Sequence, residues 1–242
     1  MKGRCMENLE ILYEDNHVLV VKKPQNVPTQ EDESKDPDLL NMVKGYIKES
    51  KHKEGEAYVG LVHRLDRPTG GVMVFAKTSK AASRLGEQIK SGEMEKTYYA
   101  VTRGVPKIRH SVLVNYLKKD AENNKVSIVP QTTEGAKRAE LEYWVIDESD
   151  GYALVQIKLK TGRGHQIRTQ LSYIKCPIFG DQKYGGADMP KANLNLFAVD
   201  LKFTHPTTKE RMTFRCFPPE DENMWNKFNL EKYLDLKVDH LD

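Results

Sequence analysis

One carboxylate, Asp66, stands between Arg64 and Arg67 in the run His63-Arg-Leu-Asp-Arg-Pro-Thr-Gly-Gly-Val-Met-Val-Phe-Ala-Lys77. Guanidinium neighbours keep a carboxylate ionised at neutral pH, and an ionised, oriented Asp can serve as a nucleophile or a base. The same residues can equally form a structural ion pair that closes a turn. A second chemically loaded stretch is Thr161-Gly-Arg-Gly-His-Gln-Ile-Arg-Thr-Gln-Leu171. Here Arg163 and Arg168 flank the start of a helix predicted over 165–175, whose free N–H groups would add to their charge and attract a phosphate or a carboxylate. His63 and His165 lack companion ligands at metal-binding spacing and read as hydrogen-bonding residues. No G-x-x-x-x-G-K-[ST] loop, G-x-G-x-x-G turn or G-x-S-x-G elbow occurs, which removes the usual nucleotide-binding and serine-hydrolase signatures.

These residues need elements to hold them. Val72, Val74 and Ala76 alternate after the Pro68-Thr-Gly-Gly corner, predicting a half-buried strand over 71–77 entered through a tight turn. Residues 9–23 read as two strands around an Asp15-Asn16 turn. Leu39, Leu40, Val43 and Ile47 recur at helical spacing behind Asp36-Pro37, predicting an amphipathic helix with mobile ends, above all after Lys48. A helix capped by Thr78 or Ser79 should carry Ala82, Leu85 and Ile89 on one face and stop at Gly92. Strands follow from Lys96 and over 111–117, 125–130, 139–147, 152–160, 194–204 and 210–216. Short connections between them favour antiparallel pairing. The expected fold is α+β, a largely antiparallel mixed central sheet flanked by helices and loops.

The chain has 242 residues, with 38% hydrophobic and 30% charged, and a net charge of +3 that is unevenly spread. Residues 1–57 carry nine Lys/Arg against twelve Asp/Glu, and 219–242 carry three against seven; the stretch between them carries 26 against 16. The basic excess coincides with both loaded stretches, and such a field attracts polyanions, nucleic acid among them. Cys5, Cys176 and Cys216 are isolated, which suggests a reducing compartment rather than a disulfide or zinc framework. Lys2, Arg4, Glu7 and Glu10 interrupt any apolar start, so neither a signal peptide nor a membrane span is expected and the location reads as cytoplasmic. The acidic stretch 219–242, with Trp225, Phe228, Leu230 and Leu234, is expected to pack as a short helical appendix.

Taken together, the two loaded stretches resemble the RluA-type pseudouridine synthases, which show H-R-L-D-[RK]-x-T-[SG]-G around the catalytic aspartate and a later G-R-x-H-Q-[IL]-R block. Val20-Val-Lys-Lys-Pro-Gln-Asn-Val-Pro28 is similar to the family's early K-P-x-G strand and loop, and Lys96-Thr-Tyr-Tyr-Ala-Val-Thr-Arg-Gly104 to its K-x-Y-x-A strand. Leu194-Asn-Leu-Phe-Ala-Val-Asp-Leu-Lys-Phe-Thr-His-Pro206 resembles its last sheet segment. The likeness runs from about residue 9 to 217, so 1–242 reads as a single catalytic domain with the acidic appendix. Fewer than ten residues precede the first strand, so no N-terminal S4 domain is expected. Three departures stand out: Gly70 where many members have Ser, Asn26 for a common Gly, and Gln170 for a common His.

The resemblance implies a metal-free, cofactor-free isomerisation of uridine in rRNA or tRNA, in a compact target such as a stem-loop, and a monomer is expected. Asp66 would be the essential carboxylate, acting on the ribose or on the base. Arg168 would keep it ionised, and Tyr98 would pack against the base and is a candidate for relaying a proton. Leu196 would lie under the flipped base, with core packing as its other reading. Arg64 would fill the vacated stack or touch its phosphate, leaving Arg67 to brace the turn. Arg163 with Lys118, Lys119, Lys125, Lys137 and Arg138 would add backbone contacts, bringing affinity and salt dependence rather than sequence choice. Recognition would then rest on segments such as 29–57 and 104–124. Two competing readings are a non-catalytic RNA-binding protein, which would not need the acid, and a glycosidase, which normally needs a second carboxylate. Asp181 reads as a turn residue rather than that partner.

Overall fold

The computed structural model describes residues 9–50, 57–219 and 223–233. The chain forms two compact units: Met1–Lys96 with Ala198–Cys216, and Thr97–Phe197 with Phe217–Asp242. The fold is α+β, with antiparallel strand pairs throughout the registers described below.

In the first unit β1 (Glu10–Glu14) pairs with β2 (Val18–Lys23), and β2 with β4 (Gly70–Ala76). Strand β10 (Leu196–Thr204), most of which belongs to this unit, borders β4 and pairs with β11 (Arg211–Arg215). A two-residue strand, β3 (Gly60–Leu61), meets the end of β4 and carried no sequence signal. The turn between β1 and β2 is the expected one, with the Asp15 carboxylate accepting from the backbone N–H of His17 and Val18.

Strand β4 differs from the expectation. All seven of its residues are buried, so it is covered on both faces rather than half-exposed. Met73 and Phe75 supply the second apolar face that the Val/Ala alternation left out of account. Gly71 shows how closely its neighbours approach: at φ +127° its absent Cβ would lie 2.2 Å from the Ala198 carbonyl oxygen.

Helix α1 (Leu39–Ser50) buries Leu39, Val43 and Ile47 as its spacing foretold. It starts just after the Asp36-Pro37 signal and is capped by Asp38, whose carboxylate accepts from the Asn41 N–H at 3.0 Å. The segment 51–56, where the end after Lys48 was expected to be mobile, lies outside the described residues. Helix α2 (Ser79–Ser91) is capped by the Thr78 hydroxyl and ends at Gly92 in the left-handed conformation.

In the second unit β5 (Glu95–Arg103) pairs with β9 (Tyr152–Leu159), β9 with β8 (Lys137–Ser149), β8 with β6 (His110–Asp120), and β6 with β7 (Lys125–Val129). Helix α3 runs over Gln166–Tyr173. The appendix forms two short 3-10 helices, Asn223–Lys227 and Leu230–Tyr233, which bury Trp225, Phe228, Leu230 and Tyr233; Leu234 lies outside the described residues. Cys176 and Cys216 are free and buried, and burial pushes the Cys216 thiol up to about 12.

Candidate active site

Asp66 sits half-buried at the start of a tight turn, its carbonyl accepting from the Thr69 N–H at 2.9 Å. Gly71, which packs without a side chain against Ala198, lets the chain leave this turn and enter β4 against β10. The approach, 62–66, is irregular. What holds this approach and turn is a set of side chains from β2 and the loop after it. The Lys23 ammonium, fully buried, donates to the carbonyls of Pro24, Arg67 and Thr69 at 3.0, 3.1 and 2.7 Å. Gln25 donates to the Pro68 carbonyl at 3.0 Å, and the Thr29 hydroxyl to that of Leu65 at 2.8 Å. Burial drags the Lys23 ammonium down to about 7, while the charge of Asp66 pulls it back up.

Arg67 faces outward and binds the loop before α1: its guanidinium pairs with Asp36, lies 3.6 Å from Asp32, and donates to the Ser34 hydroxyl at 2.8 Å. These contacts tie the turn to that loop. Arg64 is exposed. His63 accepts the Val74 N–H on Nε2 at 3.1 Å; burial, with the charge of Lys96 adding to it, drops its imidazole to about 3, so the ring is neutral. Asn26 has φ 64°, a left-handed position where glycine is easiest and Asn next, which explains the departure there.

In the second unit Tyr98 is buried in β5 opposite Ile157 of β9, and Leu196 is buried at the first position of β10. Arg168 lies in α3, 6% exposed, and makes a two-pronged pair with Asp181, Nε and Nη2 reaching the two carboxylate oxygens at 2.8 and 2.7 Å. Asp181 also accepts from the N–H groups of Lys183 and Tyr184, so it holds its expected turn and orients the arginine as well. The Arg168 guanidinium lies over the Tyr184 ring, 5.1 Å from its centre, and the Tyr184 hydroxyl meets His165 Nδ1 at 2.7 Å and the Val126 N–H at 2.8 Å.

Gln166 closes the Gly-Arg-Gly loop. Its side-chain oxygen accepts from the Thr161 hydroxyl and the Arg163 N–H, and its amide donates to the Glu140 carbonyl. Arg163 is exposed and donates through Nε to the Arg138 carbonyl at 3.0 Å. Gln170, the departure from His, is fully buried and ties α3 to β6 through the Leu113 carbonyl and the Asn115 side chain.

The structure therefore places Arg64 and Asp66 in the first unit and Tyr98, Arg163, Arg168 and Leu196 in the second. Lys23, Gln166 and Tyr184 were not singled out from the sequence. Lys23 and Gln166 sit inside matched motifs, but nothing in one chain's spacing tells an anchoring side chain from a solvated one.

Residues 17–173 match the RNA pseudouridylate synthase family, and the chain belongs to that family. An uncharacterized RNA pseudouridine synthase of Bacillus subtilis (strain 168), YjbO, is 34% identical over 217 residues, covering 88% of this chain and 74% of the relative. A ribosomal large subunit pseudouridine synthase D of Borreliella burgdorferi is 30% identical over 238 residues, covering 96% and 72%. Among solved structures, human RNA pseudouridylate synthase domain containing 4 superposes with a TM-score of 0.73 at 25% identity, covering 87% of this chain and 88% of that one. The protein is thus an RNA pseudouridine synthase, an isomerase acting on RNA.

Proposed function

We propose that the chain isomerises uridine in a structured RNA, rRNA or a tRNA stem-loop, with Asp66 as the essential carboxylate. The anchored turn around Asp66 carries this reading: four side-chain hydrogen bonds from Lys23, Gln25 and Thr29 fix a short stretch that bears one acid. A carboxylate that must meet one sugar or base atom needs placement to within about 1 Å, and rigid anchoring supplies it. Names of relatives that specify the large ribosomal subunit favour rRNA.

The uridine must leave its stack before the acid can reach it, at a cost of a few kcal/mol. Exposed Arg64 is suited to the vacated stack or its phosphate. Tyr98 packs against the base and relays a proton through its hydroxyl, Leu196 lies beneath the base, and Arg168 is the cation assigned to Asp66. A pair with Asp181 and a stack on Tyr184 leave the Arg168 guanidinium little rotamer freedom, which suits an orienting role and makes Lys a poor substitute. Arg163 contributes to backbone contacts. The protein works in the cytoplasm, as a monomer.

The test is tritium release from RNA labelled at uridine C5. Wild-type protein should release tritium from an rRNA or tRNA pool, and Asp66→Ala should fall to background. Full activity in Asp66→Ala would sink the assignment, and the absence of release from any cellular RNA would sink the reaction.

A further inference from the structure

The last described segment, 223–233, takes no part in the reaction as proposed, yet it is built against the strand that carries Tyr98. Trp225, Phe228, Leu230 and Tyr233 are buried within the second unit. Two polar ties fix the segment in place: Lys227 Nζ lies 2.6 Å from the Asp150 carboxylate, and the Tyr233 hydroxyl donates to Asp147 at 2.6 Å. Burial and the Asp147 carboxylate push the Tyr233 phenol up to about 12, so it remains a donor at any working pH. The Tyr233 carbonyl in turn accepts the Tyr99 hydroxyl at 3.0 Å, a buried bond spanning 134 residues of sequence. The Tyr99 ring also meets Phe217, 6.4 Å between centres.

Tyr98 and Tyr99 are successive residues of β5, opposite Ile157 and Gln156 of β9, so their side chains leave opposite faces of the strand. Pulling on one therefore moves the other through a single peptide unit. The ladder to β9 forms β5 without help from the appendix. What the appendix adds is a fixed point on the face away from Tyr98. We propose that Tyr99 is a positioning residue for Tyr98, held by the Tyr233 carbonyl of the docked appendix. This rests on Tyr98 being the active-site tyrosine.

The test uses full-length protein and single-turnover tritium release, with RNA affinity measured separately. Tyr99→Phe, which removes only the hydroxyl, should slow release about five- to tenfold with RNA affinity unchanged, because small misplacements of a reacting group cost rate rather than binding. Added to Tyr98→Phe, it should cost nothing further. An unchanged rate in Tyr99→Phe, or the same loss recurring in the Tyr98→Phe background, overturns the proposal. If Tyr99→Phe does not fold by circular dichroism, Tyr233→Phe loosens the same segment from Asp147 and should show the same pattern more weakly; a Tyr233→Phe loss that recurs beside Tyr98→Phe also overturns it. A full rate in Tyr98→Phe alone would overturn the assignment of Tyr98 and the brace with it, and that failure is visible before any second substitution.

Discussion

Asp66 owes its place to residues that do no chemistry. Lys23 shows the physics most plainly, because a buried ammonium with three donors meets three carbonyls and so pins both sides of one turn. A neutral amine would have only two donors for those carbonyls, so the loop geometry itself favours the charged form that burial opposes. His63, three residues before Asp66, solves the opposite problem by staying neutral so that it can accept from Val74. Its folded value near 3 lies below its ordinary 6.5, so the unfolded chain binds the extra proton in that window. Stability contributed by the neutral ring is then fully present above about pH 6.5 and drains away as pH falls toward 3. His63→Gln, which keeps an acceptor but cannot be charged, should flatten that acid slope in urea melts at pH 4 and pH 7. A slope equal to wild type would place the acid-sensitive group elsewhere.

At the scale of elements, α3 is short and depends on its surroundings. Eight residues cannot sustain a helix in water, and six of these eight are buried. Gln166, Gln170 and Ser172 tie the helix to Glu140 of β8, Leu113 and Asn115 of β6, and Tyr184. Arg168 completes the set through Asp181, whose side chain is fully buried. Removing one partner of a buried pair leaves an uncompensated charge, so Asp181→Asn should destabilise the protein by about 3–5 kcal/mol. Thermal unfolding measures this, and a loss below about 1 kcal/mol would mean that the pair is dispensable. Tritium release should fall as well, because Arg168 would lose its fixed orientation.

For the whole molecule the charge distribution decides what it meets. The basic excess between residues 58 and 218 includes Lys118, Lys119 and Lys125, all exposed on or beside the β6–β7 hairpin. Each phosphate contact adds just under one unit to the slope of log affinity against log salt. Replacing all three lysines by Ala should reduce that slope by about two to three in RNA-binding titrations, with the release rate at saturating RNA nearly unchanged. An unaltered slope would move the RNA path off this hairpin. No helix among the described residues is long and apolar enough to cross a membrane.

Much of this protein is local, and that part was legible in the chain alone. The Asp15 turn, the Thr78 cap and Gly92 stop of α2, and the apolar face of α1 depend on residues a few positions apart, so their spacing was enough to place them. The ordered motifs around Asp66, Tyr98 and Arg168 likewise identified the family, because linear patterns record the chemistry that the site requires. The burial of both faces of β4 could not be read that way, since it depends on what the rest of the chain lays against the strand. Nor could the hold of Lys23 on carbonyls up to 46 residues away, the second duty of Asp181 as partner to Arg168, or the tie between Tyr99 and Tyr233. Hydrogen bonds and ion pairs of that reach come into being only when the chain is packed. The sequence alone determined which groups could react; only tertiary packing decided which residues hold them still.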